Sequence, residues 1–226
     1  MNAVAGSAAG PTVAVVLAAG GGRRFGGTKQ LVELADRPLI AHVVAAARDG
    51  GVDEVVVVVG HDASAVAQAA RAEHDVRVVD TPAVAAGQSA SLGAGVAAAL
   101  DLDAEVVVVL LADQPEVAPA AVQAAAAAVR DGASVARLLY EDGPGHPVAF
   151  ARRVLARLTE LRGDRGARGL LDELGVVEVA WGGAAPVDLD TRAAWQAALR
   201  RWETKGPPPA QRSPSWREQE GQARHP

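Results

Sequence analysis

Residues 17–29, with the sequence LAAGGGRRFGGTK, decide how this chain folds. They follow a short apolar run, residues 12–16, whose composition is typical of a buried strand. The five glycines of the stretch allow backbone N–H groups to approach anionic oxygens without a clash from a Cβ atom. Arg24 and Lys29 add positive charge that can neutralise phosphate. The stretch is therefore predicted to be a phosphate-binding loop after the first strand.

Two common nucleotide-binding motifs do not describe this loop. The P-loop requires a glycine immediately before its lysine, whereas Thr28 precedes Lys29 here. The dinucleotide fingerprint G-x-G-x-x-G/A fails because Phe25 stands at its last position. A second match to that fingerprint begins at Gly93, but no apolar strand directly precedes it. We therefore expect the second match to have no part in nucleotide binding.

The composition excludes several classes of function. The chain has 226 residues, enough for one well-buried α/β domain, and its residues are 50% hydrophobic but only 3% aromatic. Its formal net charge of −5 argues against a surface that binds nucleic acid or an anionic membrane. The absence of cysteine excludes disulfides, iron–sulfur clusters and thiolate zinc sites. No nucleic-acid or membrane partner is expected.

The chain is also expected to be cytoplasmic. Its first ten residues lack the basic segment and apolar core of a secretion signal. The longest strongly apolar runs, residues 55–59 and 106–112, are too short to cross a bilayer.

Valine-rich and alanine-rich segments alternate along the first 130 residues. Strands are predicted at residues 12–16, 55–59, 76–79 and 106–111, and helices at 38–49, 63–73, 89–100 and 119–130. Because the strand segments are continuously apolar, both faces of their sheet should be covered. The pattern predicts a single-domain, three-layer α/β/α fold with a mostly parallel, doubly wound sheet. Ligands of such sheets bind at the carboxyl ends of the strands, here after Ala18, Val59, Val79 and Leu111.

The alternation of valine-rich and alanine-rich segments ends after residue 131. Strands are predicted at residues 134–140, 147–150 and 176–181, with a turn at 142–145 and helices at 151–161, 167–174 and 191–202. We expect one domain over residues 12–203, with a nucleotide-binding half (12–130) and an acceptor-substrate half (131–203). Residues 1–11 and 204–226 are small, polar or rich in proline, and are expected to be disordered.

Three aspartates are candidate metal ligands. Asp113 ends the apolar run of residues 106–112, and a carboxylate there is costly without a partner. Mg²⁺ is a suitable partner beside a phosphate loop, because it prefers one or two carboxylates plus phosphate oxygens. Asp188 and Asp190 share one face of an extended segment before the last helix. The alternative is structural: Asp113 could begin a turn or cap the helix that follows it, and Asp190 or Thr191 could cap the last helix.

Short motifs give the chain a resemblance to a known family. The pattern A-A-G-x-[SG]-x-R-[MF]-G-x-x-K, at residues 18–29, resembles the signature loop of nucleotidyltransferases with a Rossmann-like fold. The segment L-x-x-D-Q-P at residues 111–115 looks like that of the molybdenum cofactor cytidylyltransferase family. Further segments resemble the same family and extend the likeness over residues 13–200: GQSASL at 87–92, GHP at 145–147, GDRGAR at 163–168 and DLDT at 188–191.

The resemblance implies a nucleotide-diphospho-sugar transferase-like fold and a defined reaction. CMP would pass from CTP to molybdenum-bound molybdopterin, giving the cytosine dinucleotide and pyrophosphate, with Mg²⁺ as the cofactor. The implied catalytic residues are Arg24, Lys29 and Asp113, and the implied metal ligands are Asp113, Asp188 and Asp190. The implied nucleotide-binding residues are Leu17, Ala18, Ala19, Gly20, Gly21, Gly22, Lys29, Gly87, Ser89 and Asp113. The implied acceptor-binding residues are Gln114, His146, Asp164 and Arg168.

Other functions share parts of this pattern. A molybdopterin guanylyltransferase, or an enzyme that uses another NTP and another phosphate acceptor, would need the same loop and Asp113. A carrier that delivers the molybdenum cofactor to a client molybdoenzyme would need the acceptor half but no metal carboxylates. Individual residues also have structural alternatives: His146 could be a turn histidine, and Asp164 could pair with Arg168. Asp62 is expected to cap a helix. Gly22, where the family often has serine, would keep its N–H and lose only a hydroxyl.

Overall fold

The computed structural model describes residues 10–22, 24–72, 74–81, 88–161 and 166–205. Strands and helices alternate up to residue 130, as predicted. The elements of this half are β1 (Thr12–Leu17), a 3-10 helix (Lys29–Leu31), β2 (Glu33–Leu34), β3 (Arg37–Pro38), α1 (Leu39–Asp49), β4 (Glu54–Val59), α2 (Ala63–Arg71), β5 (Arg77–Asp80), α3 (Gln88–Leu100), β6 (Val106–Leu111) and α4 (Pro119–Arg130).

The second half adds three strands and three helices. These are β7 (Val135–Tyr140), β8 (Gly143–Ala151), α5 (Arg152–Thr159), α6 (Gly166–Leu174), β9 (Val176–Ala180) and α7 (Arg192–Lys205). None of the helices in the described part of the chain is long and apolar enough to cross a membrane.

Both halves contribute to one seven-stranded sheet. Its strand order is β5-β4-β1-β6-β8-β7-β9. Strand β1 pairs in parallel with β4 and β6, and Leu17 lies opposite both Val58 and Leu111. Strand β8 is antiparallel to β6 and β7, whereas β9 is parallel to β7. The register brings the carboxyl ends of β1, β4 and β6 to the same edge, so the loops that follow these strands meet there.

Helices cover both faces of the sheet, which confirms the three-layer fold. Alternate residues of a strand point to opposite faces. Ala14 and Val16 therefore belong to the core beneath α1 and α4, whereas Val13 and Val15 belong to the core beneath α3 and α5. All four are completely buried. The strands therefore supply small aliphatic side chains to the cores on both faces of the sheet.

The second fingerprint match has a packing role in the structure. Its glycines lie inside α3. A Cβ atom on Gly95 would lie 2.4 Å from Cγ1 of Val15 and 2.8 Å from Cγ2 of Val58. Gly95 therefore permits α3 to lie close against the sheet.

Helix α7 packs on a third apolar cluster. Leu34, Leu39, Leu189 and Ala198 form this cluster, and Trp195 and Trp202 pack against it. Nε1 of Trp195 donates to the carbonyl oxygen of Glu33 at 2.8 Å. Helix α7 is therefore held against the β2–β3 hairpin.

Several sequence predictions need correction. The hairpin β2–β3 was not predicted, because two-residue strands leave no periodic signal. Strand β8 begins at Gly143, so the predicted turn at 142–145 is largely strand. Helix α7 runs to Lys205, so residues 204 and 205 are helical. The expected disorder of residues 1–9 and 206–226 lies outside the described residues.

Candidate active site

The glycine-rich loop curls back on itself directly after β1. The N–H groups of Phe25 and Gly26 donate to the carbonyl oxygen of Gly22 at 2.9 and 3.0 Å. Gly22 has a φ of +55°, and a Cβ atom there would lie 2.0 Å from the carbonyl oxygen of Gly27. A serine at this position would not fit the loop as it stands. The change from serine to glycine therefore does more than remove a hydroxyl. This loop conformation requires glycine at position 22.

Lys29 lies between two of the three candidate aspartates. Its Nζ donates to Oδ2 of Asp113 and to Oδ1 of Asp190, each at 2.5 Å. Only 12% of the lysine side chain is exposed, so its charge needs such partners. Burial lowers the pKa of Lys29, but the hydrogen bonds with the two aspartates outweigh burial and raise it above the ordinary value. The ammonium group remains protonated at the end of β1 and β6.

Two cationic side chains stabilise Asp190 as an anion. The hydrogen bond from Lys29 lowers the pKa of Asp190, and burial opposes this only in part. Arg24 approaches Oδ2 of Asp190 at 3.2 Å, although 80% of the arginine side chain is exposed. Arg24 and Lys29 thus both contact Asp190, although Arg24 and Asp190 are 166 positions apart in the sequence.

The segment that carries Asp188 and Asp190 is fixed to the end of β6. The N–H of Leu189 donates to the carbonyl oxygen of Asp113 at 2.9 Å. Nε2 of Gln114 donates to Oδ1 of Asp188 at 2.8 Å, and burial raises the pKa of Asp188. The segment was expected to be strand-like, but residues 182–190 form no strand.

Thr191 caps α7, which settles one of the open alternatives. Its Oγ1 accepts a hydrogen bond from the N–H of Ala194 at 3.1 Å. The carboxylate of Asp190 pairs with Lys29 and Arg24 instead. Thr191 therefore caps the helix, and Asp190 forms the ion pairs.

His146 lies in β8, close enough to Asp113 for the carboxylate to influence its titration. Burial lowers the pKa of His146 to about 4, and the negative charge of Asp113 opposes the change. The imidazole is therefore neutral near pH 7. The hydroxyl of Tyr140 donates to the carbonyl oxygen of His146 at 2.7 Å, which fixes its backbone.

Asp62 does not cap α2, contrary to expectation. It occupies the position before the helix with a φ of +51°, but its side chain makes no capping hydrogen bond. Instead, Oγ1 of Thr28 donates to Oδ2 of Asp62. The His61 ring lies 3.8 Å from the place of a Cβ atom on Gly21. Contacts from the end of β4 thus support the loop, which residue spacing alone could not indicate.

Gln30 is a further residue that the sequence analysis did not single out. It is buried beneath the loop, and its amide nitrogen donates to two loop carbonyl groups. Its position next to Lys29 was the available signal, but a lone glutamine carries little information in a sequence.

The remaining predicted site residues fall in different places. Leu17, Ala18, Ala19, Gly20 and Gly21 follow one another from the last residue of β1 into the loop. Ser89 is buried in the first turn of α3. Gly87 and Asp164 lie outside the described residues, and Arg168 lies in α6 without a described side chain.

The carboxylate oxygens fit a metal that the substrate would help to coordinate. Among the described residues, no three Asp, Glu, His or Cys side chains form a ready-made metal site. The oxygens of Asp113 and Asp190 that Lys29 binds lie within about 5 Å of each other. Mg²⁺ commonly takes one or two protein carboxylates and completes its shell with phosphate and water. The donor set suits that arrangement.

Comparisons with known proteins identify the family and the fold. Residues 14–179 match the model of the MobA-like NTP transferase domain. The crystal structure of Rv0371c from Mycobacterium tuberculosis H37Rv is 34% identical, covers 85% of this chain and 99% of that chain, and has a TM-score of 0.76. A manganese complex of Rv0371c is 33% identical over 84% of this chain and 98% of that chain, with a TM-score of 0.71.

Two more relatives are nucleotide-transferring or bifunctional proteins by name. A nucleotidyl transferase from Methanothermobacter thermautotroptrophicus, Mth528, is 29% identical over 86% of this chain and 98% of that chain, with a TM-score of 0.72. The bifunctional protein GlmU of Xanthobacter autotrophicus is 36% identical over 162 residues, 68% of this chain. The chain spans about a third of the length of that relative. The chain belongs to the MobA-like NTP transferase domain family and is an enzyme of the nucleotidyltransferase type.

Proposed function

We propose that the protein transfers CMP from CTP to the terminal phosphate of a molybdopterin cofactor, releasing pyrophosphate. One observation carries the nucleotidyl-transfer part of this proposal. The ammonium group of Lys29 is held by Asp113 and Asp190 beside the glycine-rich loop, where the ends of β1 and β6 meet. Cationic and carboxylate groups at such an edge are suited to a triphosphate and its counter-ion.

Sequence segments support the choice of acceptor. The D-Q-P, G-H-P and D-L-D-T segments resemble the molybdenum cofactor cytidylyltransferase family. Nε2 of Gln114 donates to Asp188, and the charge of Asp113 acts on the titration of His146, so three of these segments lie near one another. In the described part of the chain, Oε1 of Gln114 is buried without a hydrogen-bond partner. Such an acceptor could receive an N–H group of a pterin.

The proposed reaction needs no general base. An oxygen of the acceptor phosphate attacks the α-phosphorus of CTP, the bond from that phosphorus to the bridging oxygen breaks, and pyrophosphate leaves with the electron pair. A phosphate monoester is already an anion near neutral pH. The protein's contribution is position and charge: loop amides and Arg24 hold the β- and γ-phosphates, and Lys29 stabilises the charge that develops at the α-phosphate.

A divalent metal such as Mg²⁺ fits the same site. Asp113 and Asp190 would hold it, with Asp188 held nearby by Gln114. When bound, the metal would neutralise phosphate charge. The manganese complex of the relative Rv0371c supports the proposal of a divalent metal.

The test measures pyrophosphate release from CTP, GTP, ATP and UTP with molybdopterin and Mg²⁺. We expect release with CTP, and we expect Asp113→Asn to reduce it by roughly 10²- to 10³-fold, as loss of one charge-stabilising group commonly does. Asp101→Asn is the matched control, because Asp101 is 68% exposed and pairs only with Arg77 among the described ion pairs. The control variant should keep wild-type activity.

Each other result has a definite meaning. Release with GTP alone would replace the base assignment but keep the transfer reaction. Release with CTP and another phosphate acceptor, but not with molybdopterin, would overturn the acceptor assignment. If no nucleotide gives pyrophosphate while molybdopterin still binds, the protein is a carrier of the cofactor.

A further inference from the structure

Gln30 lies beneath the glycine-rich loop and has only 1% of its surface exposed. Its Nε2 donates to the carbonyl oxygen of Ala18 at 2.9 Å and to that of Gly20 at 2.7 Å. Because carbonyl oxygens only accept hydrogen bonds, the nitrogen must be the end of the amide that faces them. Both protons of the amide are therefore used to hold the loop.

The oxygen of the Gln30 amide indicates that this residue is not explained by packing alone. Among the described residues, Oε1 of Gln30 is buried and has no hydrogen-bond partner. An unpaired buried acceptor costs free energy, and a methionine of similar length would avoid that cost. What only the glutamine supplies at this position is its pair of donors.

These two donors determine where the loop's own N–H groups point. In a planar trans peptide, the N–H of one residue points opposite to the carbonyl of the residue before it. In the described part of the chain, the cis peptide bond lies elsewhere, at His146–Pro147. With the carbonyls of Ala18 and Gly20 facing Gln30, the N–H groups of Ala19 and Gly21 must point away from it.

The two N–H groups are available to a ligand. Within the described residues, neither Ala19 nor Gly21 donates its N–H to another protein atom. N–H groups two residues apart in a glycine-rich turn form a concave site that attracts anions. Gln30 also follows Lys29 directly, so one side chain joins the start of the loop to the residue that supplies its buried charge.

We propose that Gln30 is a positioning residue that directs the N–H groups of Ala19 and Gly21 toward the phosphates of the bound nucleotide. This inference rests on the proposed function, because it needs a nucleotide at the loop. Gln30 itself does not touch the nucleotide. Its effect should therefore depend on how many phosphates the ligand carries.

The test measures the affinities of CTP, CDP and cytidine for the full-length protein by calorimetry, together with the thermal midpoint. Gln30→Met keeps the length of the side chain and removes both donors. We expect it to weaken CTP binding by roughly tenfold or more, as loss of hydrogen bonds to a charged group does, and to leave cytidine binding unchanged. Gln68→Met, on the exposed face of α2, is the matched control and should bind all three ligands as the wild type does.

A steady-state measurement separates positioning from general stability. Gln30→Met should raise the KM for the nucleotide by a similar factor at a temperature well below its thermal midpoint. If Gln30→Met does not fold, Gln30→Leu gives the same comparison, because leucine also removes both amide donors and adds no charge beside the loop.

The outcomes distinguish this inference from the proposed function. A wild-type protein that binds no nucleotide would overturn both. A wild type that binds CTP and a folded variant that binds it equally well would overturn only the role of Gln30. An equal loss of affinity for CTP and cytidine would also overturn that role, because a phosphate-specific device should not affect the nucleoside.

Discussion

At the scale of single residues, the site depends on charges that are paired before any substrate arrives. Lys29 is nearly buried, and two aspartates satisfy its ammonium group. Leaving such a charge without partners would be costly, so the aspartates and the lysine form one unit. If a triphosphate or a metal binds here as proposed, it competes for groups that already have partners, so we expect the site to favour ligands with high charge.

Gly22 permits the first test at this scale. Gly22→Ala places a side chain at a positive φ and against the carbonyl oxygen of Gly27. The strain should cost about 1–3 kcal/mol, which we expect to raise the KM for the nucleotide by roughly tenfold or more. Steady-state kinetics check this. Gly51→Ala is the control, because Gly51 also has a positive φ, +80°, but follows α1 and lies outside the loop. Equal kinetics for the two variants would contradict the prediction.

At the scale of elements, a glycine lets α3 pack closely against the sheet. The helix spans Gln88–Leu100 and carries Ser89 in its first turn. Gly95 brings this helix to within van der Waals distance of β1 and β4. Small residues that looked like part of a nucleotide motif therefore serve packing.

Two glycines of α3 give a matched pair for measuring this packing. Gly95→Ala should destabilise the fold by about 1–3 kcal/mol, because its methyl group would overlap Val15 and Val58. Gly93→Ala should stabilise it by up to about 1 kcal/mol, because alanine favours a helix and the nearest atom to the new Cβ is 3.7 Å away. Urea denaturation measures both. Destabilisation of similar size in both variants would show that tight packing at Gly95 is not the cause.

At the scale of the whole molecule, the site unites segments from both halves of the chain. Lys29 and Asp113 come from the first half, whereas Asp188, Asp190 and His146 come from the second. The third apolar cluster holds the second-half aspartates in place, since Leu189 lies between them and is 1% exposed. Stability and activity should therefore be linked through α7 and the cluster beneath it.

Leu189→Ala tests that link. Truncation of this buried side chain should cost about 2–5 kcal/mol of unfolding free energy, measured by denaturation. We also expect pyrophosphate release to fall, because both neighbouring aspartates lose their support. Val187→Ala, two residues away and 49% exposed, should change the unfolding free energy by less than about 0.5 kcal/mol. A destabilised Leu189→Ala protein with unchanged activity at low temperature would refute the link.

The sequence by itself determined the layers, the parallel strands and the glycine-rich loop. These follow from local patterns: continuous valine runs, alanine-rich helices and glycines after a strand. Only the tertiary structure showed that Lys29 binds Asp113 and Asp190, and that Thr28 donates to Asp62. It also showed that position 22 requires glycine and that the amide of Gln30 binds the loop carbonyl groups. These contacts join residues far apart in the sequence, or depend on backbone direction. Residue types and spacing do not indicate either, because only the folded chain brings those atoms within hydrogen-bonding distance.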